Sequence, residues 1–165
     1  MEFNKQVANP LLIGAMELMK AEPTSEHNIT LVNELLKAKF MSPATIIPEP
    51  EMDEEGNPKI VDGSQIRFSM VTTPGGESFI PAFTDQDEVN KWKKIRDEQR
   101  TEKDLESKTH LVVLTFDDYV NMLFNKAAGT GEKGIAGIAV NPLGNNLVLS
   151  REAVQAICRV REQAK

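Results

Sequence analysis

The sequence predicts an α+β domain, a mixed β-sheet with an N-terminal helical hairpin and further helices packed on the sheet. Three observations point there. Two helical apolar patterns stand back to back at the N-terminus, strand patterns of period two fill the middle, and strands and helices alternate toward the end. The predicted order is ααβββαβαββα.

Asn9 and Pro10 open the first helix as N-cap and first helical residue. Leu12, Met16 and Met19 share one face, with Leu11, Ala15 and Leu18 beside them. Glu22-Pro23 ends it, and Thr24 caps a second helix with Glu26 in its first turn. Ile29, Val32 and Leu36 give that helix its stripe, flanked by Leu31 and Leu35. A tight turn between two amphipathic helices makes an antiparallel hairpin that must dock on something.

Ala44 to Ile47, bounded by Pro43 and Pro48, suits a strand at a sheet edge. Residues 49–63 are acidic and rich in Pro and Gly, which predicts a mobile loop without the ligand spacing of a calcium-binding EF-hand. From Gln65 to Thr72, Ile66, Phe68 and Met70 alternate with polar residues as a half-buried strand. Thr73-Pro74-Gly75-Gly76 turns the chain, and residues 77–83 return antiparallel, with Pro81 implying an exposed edge or a bulge.

Thr84 and Asp87 form a T-x-x-D cap before a helix with Val89, Trp92 and Ile95 inside and a mixed-charge, mainly basic outer face. Residues 97–108 are charged and expected to be mobile. His110 to Leu114 is the next strand, and Thr115 with Asp118 repeats the capping pattern before Tyr119, Val120, Leu123 and Phe124. Strand, T-x-x-D and helix thus occur twice, as a duplicated unit would. Ile138 with Val140, and Leu147 to Leu149, are two short buried strands, and Ser150 caps a final helix beginning at Arg151.

Between those strands lies Asn141-Pro142-Leu143-Gly144-Asn145-Asn146. Pro142 is expected to hold Asn141 extended, while Gly144, Asn145 and Asn146 tolerate positive φ. So dense a turn sequence between apolar strands implies a specified backbone shape.

With 165 residues, 40% hydrophobic and 27% charged, the chain is read as one soluble globular domain. A net charge of −6 and a pI near 5.0 argue against nucleic-acid or anionic-membrane partners. With neither a targeting signal nor a long apolar run, the expected location is cytoplasmic. One cysteine, Cys158, excludes an intrachain disulfide and reads as a small buried hydrophobe; with only His27 and His110 beside it, no metal site and no cofactor is expected.

Gly129-Thr130-Gly131-Glu132-Lys133-Gly134 matches the dinucleotide pattern G-x-G-x-x-G. Dinucleotide binding needs a strand before the glycines and a helix after, and here the order is inverted, so the stretch reads as a flexible connector. No G-x-S-x-G elbow is present, and Asp117-Asp118 fits a helix N-terminus better than a carboxylate pair. Catalysis is unsupported.

Several segments together resemble the SseB family, specifically its N-terminal domain. They are Asn9-Pro10-Leu11-Leu12, Glu22-Pro23-Thr24, Phe79-Ile80-Pro81-Ala82-Phe83-Thr84 followed by Trp92, Leu114-Thr115-Phe116-Asp117-Asp118, and Gly137 through Leu149. The P-A-F-T and N-P-x-G-x-N-L-V-L elements are the most specific. Leu143 stands where the resemblance implies an aromatic residue, and the C-terminal domain of longer relatives has no counterpart, which implies a stand-alone N-terminal domain. The resemblance brings no catalytic residues with it.

The residues therefore support a non-catalytic binding or interaction module, with a protein partner or self-association, on a surface combining Pro81, Phe83 and Trp92 with Asn141, Pro142, Gly144, Asn145 and Asn146. The alternative is a small-molecule-binding regulator or enzyme whose pocket lies beside the same loop. An enclosed polar pocket would favour the alternative, and an apolar patch or groove the module.

Overall fold

A computed structural model describes residues 2–55, 57–99, 109–124 and 135–163. The elements in chain order are β1 (Glu2–Phe3), α1 (Pro10–Ala21), α2 (Ser25–Lys37), β2 (Lys39–Ile47), β3 (Glu51–Met52), β4 (Pro58–Lys59), β5 (Gln65–Phe68) and β6 (Val71–Thr72). β7 (Ser78–Ala82), α3 (Gln86–Gln99), β8 (His110–Thr115), α4 (Phe116–Phe124), β9 (Ile135–Val140), β10 (Leu147–Ser150) and α5 (Arg151–Gln163) follow. This is the expected α+β architecture, with β1 and the small β3–β4 hairpin added and the strand expected over residues 65–72 divided into β5 and β6, which lie in different sheets.

Two four-stranded sheets, ordered β1-β8-β2-β5 and β10-β9-β7-β6, form the centre. The first is antiparallel throughout; in the second, β9 runs parallel to β7 and antiparallel to β10. Met41 and Phe83 join the sheets by exchanging backbone hydrogen bonds of 2.9 Å in each direction.

Alternation along the strands sorts the core into two faces. Phe40, Ala44 and Ile46 of β2, with Val112 and Leu114 of β8, turn toward α1, α2, α4 and α5. Met41 and Leu111 turn the other way, to Phe83, Val89 and Trp92 beneath α3.

β2 is not an edge strand: it pairs with β8 over Lys39–Ala44 and with β5 over Ala44–Ile47. The proline rule is nevertheless obeyed. Extending the Met41–Phe83 register by two residues sets Pro43 opposite Pro81, so two residues lacking N–H groups meet where β2 and β7 part. The Pro43 carbonyl instead accepts from Ser69 N at 2.9 Å, and the Pro81 carbonyl accepts from the Ser42 hydroxyl at 2.6 Å. The Ser42 oxygen in turn pairs with the Tyr119 hydroxyl, whose burial pushes its ionisation well above the usual phenol range. Pro81 is accordingly interior rather than on an exposed edge, although the register of β7 does shift between Ser78 and Phe79.

In α1 the buried face is Leu12, Ala15 and Met16, as expected, leaving Leu11 and Leu18 exposed. The buried centre of α2 is Leu31 and Leu35, whereas Ile29, placed in the stripe by periodicity, is exposed. Both helices have several apolar positions around their circumference, and docking selects among them. Within the acidic stretch, the Asp53 carboxylate accepts from Glu55 N and Asn57 N at 2.9 Å each, closing the β3–β4 turn. The G-x-G-x-x-G stretch and most of the charged run at 97–108 lie outside the described residues.

Candidate functional site

Parallel pairing brings the C-terminal ends of β7 and β9 side by side, and the chain leaves both at one place. Ala82 pairs with Val140, and one further bond joins Asn141 N to Ala82 O at 3.0 Å. There the backbone turns: Asn141 has φ 48°, so it is left-handed rather than extended. Asparagine tolerates that conformation, and its side chain supplies the reason for adopting it.

The Asn141 amide is fully buried and fully used. Its Oδ1 accepts from Thr84 N at 3.0 Å, while Nδ2 donates to Thr84 Oγ1 at 2.9 Å and to Asn145 Oδ1 at 3.1 Å. Its carbonyl accepts from Gly144 N at 2.9 Å and Asn146 N at 2.8 Å, closing the turn. Thr84, also fully buried, donates a hydrogen bond from its hydroxyl to Asp85 Oδ2 at 2.9 Å. From the other side Asn9 Nδ2 donates to the carbonyls of Thr84 and Lys39, both at 2.8 Å. Asn9 thus caps α1 through its carbonyl, which accepts from Ile13 N at 3.1 Å, and spends its side chain on binding the helix start to this junction.

This corrects the capping assignment at Thr84. Asp85 caps α3, its Oδ1 accepting from Glu88 N at 3.1 Å, and the Asp87 side chain makes no hydrogen bond among the described residues. Thr115 and Asp118 do form the expected reciprocal cap, so the proposed duplication has one true member.

At Gly144 the constraint is the proximity of a side chain rather than φ, since the positive-φ residues of the turn are Asn141 and Asn146. A Cβ at Gly144 would lie 2.7 and 2.8 Å from the two oxygens of Glu88. That carboxylate is 9% exposed; Oε1 binds Lys91 Nζ at 2.8 Å, and Oε2 has no partner among the described residues. The hydrogen bond and charge of Glu88 raise the Lys91 pKa above its usual value. Gly137 is a second close approach, where a Cβ would fall 1.9 Å from the Leu149 carbonyl oxygen of β10.

Of the eight site residues read from sequence, Pro81, Phe83 and Asn141 are buried and form the frame. Pro142 and Asn145 are half-buried, and Gly144 and Asn146 are exposed. Trp92 packs on Phe83 with ring centroids 6.1 Å apart and carries the Arg96 guanidinium 4.8 Å over its ring, but on the α3 face. Asn145 and Asn146 face the other way. With Leu147 they form one wall of an open groove of about 280 Å³, whose opposite wall is Met16, Met19 and Lys20 of α1 with Leu31 of α2. Trp92 and the groove are therefore on opposite faces of the sheet. Sequence reasoning missed Asn9 and Thr84 as partners of the loop, because both carry stronger local signals as helix caps.

No group of three or more metal-ligating side chains occurs among the described residues. The His27 ring contacts the Glu22 carbonyl at 2.6 Å and the His110 ring the Glu49 carboxylate at 3.0 Å, each in a structural role. Burial pushes the Cys158 thiol up, which disfavours the nucleophilic thiolate. No helix among the described residues is long and apolar enough to cross a membrane.

A family model described as the SseB protein N-terminal domain matches residues 12–156, from the first turn of α1 to the middle of α5. No curated protein and no solved structure matches the chain.

Proposed function

We propose that this chain, which belongs to the SseB family, is a non-catalytic cytoplasmic binding module that recognises a protein partner through the groove between α1, α2 and the 141–146 loop. The observation that carries this reading is a division of labour within the loop. Asn141, turned inward, sets the backbone from within the fold, and this leaves the NH₂ group of Asn145 and the side chain of Asn146 to line the groove. Asn145 gives its oxygen to Asn141 and keeps its NH₂ group for a partner. Apart from Lys20 the facing wall is apolar, with two methionines whose unbranched side chains adapt to different shapes. The groove, about 280 Å³, is open along its length, which suits one or two side chains of a larger partner, whereas small-molecule sites enclose most of their ligand.

The test is affinity capture from native cytoplasm, read by mass spectrometry, with Asn145→Asp and Asn146→Asp beside the parent. Each substitution keeps the size and turn tolerance of the side chain but removes its NH₂ donor. At least one variant is expected to melt near the parent temperature and lose partners. If both retain every partner, the groove is not the recognition surface.

A further inference from the structure

We propose that the partner is an extended peptide segment that adds as a strand to the free edge of β10, seating one apolar side chain in the groove. The proposal rests on the binding-module reading and gives its partner a chemistry. β9 pairs with one side of β10 over Leu147–Ser150, and no backbone bond among the described residues reaches the other side. The N–H and C=O groups of a strand edge repeat at a spacing that another extended backbone satisfies, so the edge itself selects the occupant. Val148, 48% exposed, stands on this edge without cover.

Alternation then fixes where the partner's side chains go. Leu147 lines the groove and Val148 points to the opposite face, so successive partner residues fall alternately over Met16 and Met19 and beside Val148. Lys20 is the one charged residue on the groove lining, and no carboxylate pairs with it among the described residues. An Asp or Glu next to the apolar anchor supplies the complementary charge. Asn145 and Asn146 stand where the edge begins and can bond the peptide backbone as it enters.

A second copy of the chain fits this edge less well. β10 has four residues, roughly 13 Å of strand, before α5 begins at Arg151. Backbone pairing over so short an edge falls far short of the ~1,000 Å² that a stable dimer interface needs, whereas a peptide adds a side chain seated in the groove and binds as a transient partner.

Selection of phage-displayed random dodecapeptides on the immobilised full chain supplies the probe. Enriched peptides are expected to share an apolar residue flanked by Asp or Glu. They should slow amide exchange by tenfold or more at those residues of 147–150 whose N–H groups point away from β9. Methylating alternate backbone nitrogens of the peptide, a change that leaves the protein untouched, should weaken binding at least tenfold at every second position, and Met19→Lys should weaken it similarly. Failure to enrich any peptide, binding that leaves residues 147–150 unprotected, or protection produced by raising the protein concentration alone would each overturn strand addition. A peptide that ignores β10 yet is lost with Asn146→Asp would remove strand addition while the groove reading stands. If no peptide enriches and both asparagine variants also retain every cellular partner, both readings fall.

Discussion

Thr84 and Thr115 each follow an apolar strand and open the same pattern, T-x-x-D, ahead of a helix. At Thr115 the pattern does what its spacing suggests: the backbone N–H of Thr115 donates to Asp118 Oδ2 at 2.8 Å, and Asp118 N donates back to Thr115 Oγ1 at 3.4 Å. At Thr84 both the N–H and the hydroxyl are engaged by Asn141, and the cap moves one residue on, to Asp85. The difference arises from the neighbouring strand. β8 ends at an exposed Thr115, so its polar groups have only each other and water. β7 ends beside the parallel β9, so Thr84 meets a buried amide from a distant part of the chain. A local capping signature is obeyed where no long-range partner competes for the same atoms.

The largest expected effect tests that competition. Asn141→Ala strands the buried N–H of Thr84, whose hydroxyl keeps its bond to Asp85, and places alanine at φ 48°. The stranded donor costs about 1–3 kcal/mol and left-handed alanine about 1–2 kcal/mol more. Thr115→Ala, which loses an exposed cap, should cost about 0.5–2 kcal/mol. Urea midpoints with unchanged slopes give both numbers. Equal costs at the two sites would mean that the Thr84–Asn141 junction holds no more of the fold than an ordinary helix cap.

A smaller effect is expected where this junction meets α3. Gly144→Ala should cost about 1–3 kcal/mol, because its methyl group needs space now held by the Glu88 carboxylate. Glu88→Ala in the same chain should recover most of that loss, a non-additivity of about 1 kcal/mol or more between touching residues. If the two costs simply add, the close approach of Glu88 is not what demands glycine.

The same contrast explains what was legible in the sequence. Signals spanning a single turn were read correctly: Thr24 accepts from His27 N at 3.1 Å, Ser150 accepts from Ala153 N at 3.2 Å, and the turn at residues 73–76 separates β6 from β7. The loop itself was recognised from its Asn, Pro and Gly content. Features settled across the chain were not legible. Pro43 and Pro81 each looked like an edge residue, because a single sequence position does not reveal that another proline stands opposite and makes an interior place tolerable. Asn141 looked extended because Pro142 follows it, and only its bonds to Thr84 account for the left-handed turn. Trp92 and the loop were both singled out, but periodicity does not say which face of the sheet each helix covers, and they proved to be on opposite faces.

The smallest effect provides the sharpest comparison, because it concerns two aspartates at the same place in the two patterns. Asp118 holds the Thr115 N–H and hydroxyl, so Asp118→Ala removes real hydrogen bonds and should cost about 0.5–2 kcal/mol at any salt concentration. Asp87 is exposed in the first turn of α3, and its side chain makes no hydrogen bond among the described residues. Its remaining contributions are electrostatic, an attraction to Lys91 one turn on and to the positive end of the helix dipole, the latter about 0.3–1 kcal/mol at low ionic strength. A Debye length of about 3 Å in 1 M salt removes most of that attraction. Asp87→Ala should therefore destabilise slightly in dilute buffer and hardly at all in 1 M NaCl, while the Asp118→Ala deficit persists. If Asp87→Ala instead costs as much as Asp118→Ala in high salt, Asp87 makes a capping bond in solution, and Thr84 shares its atoms between Asn141 and the helix.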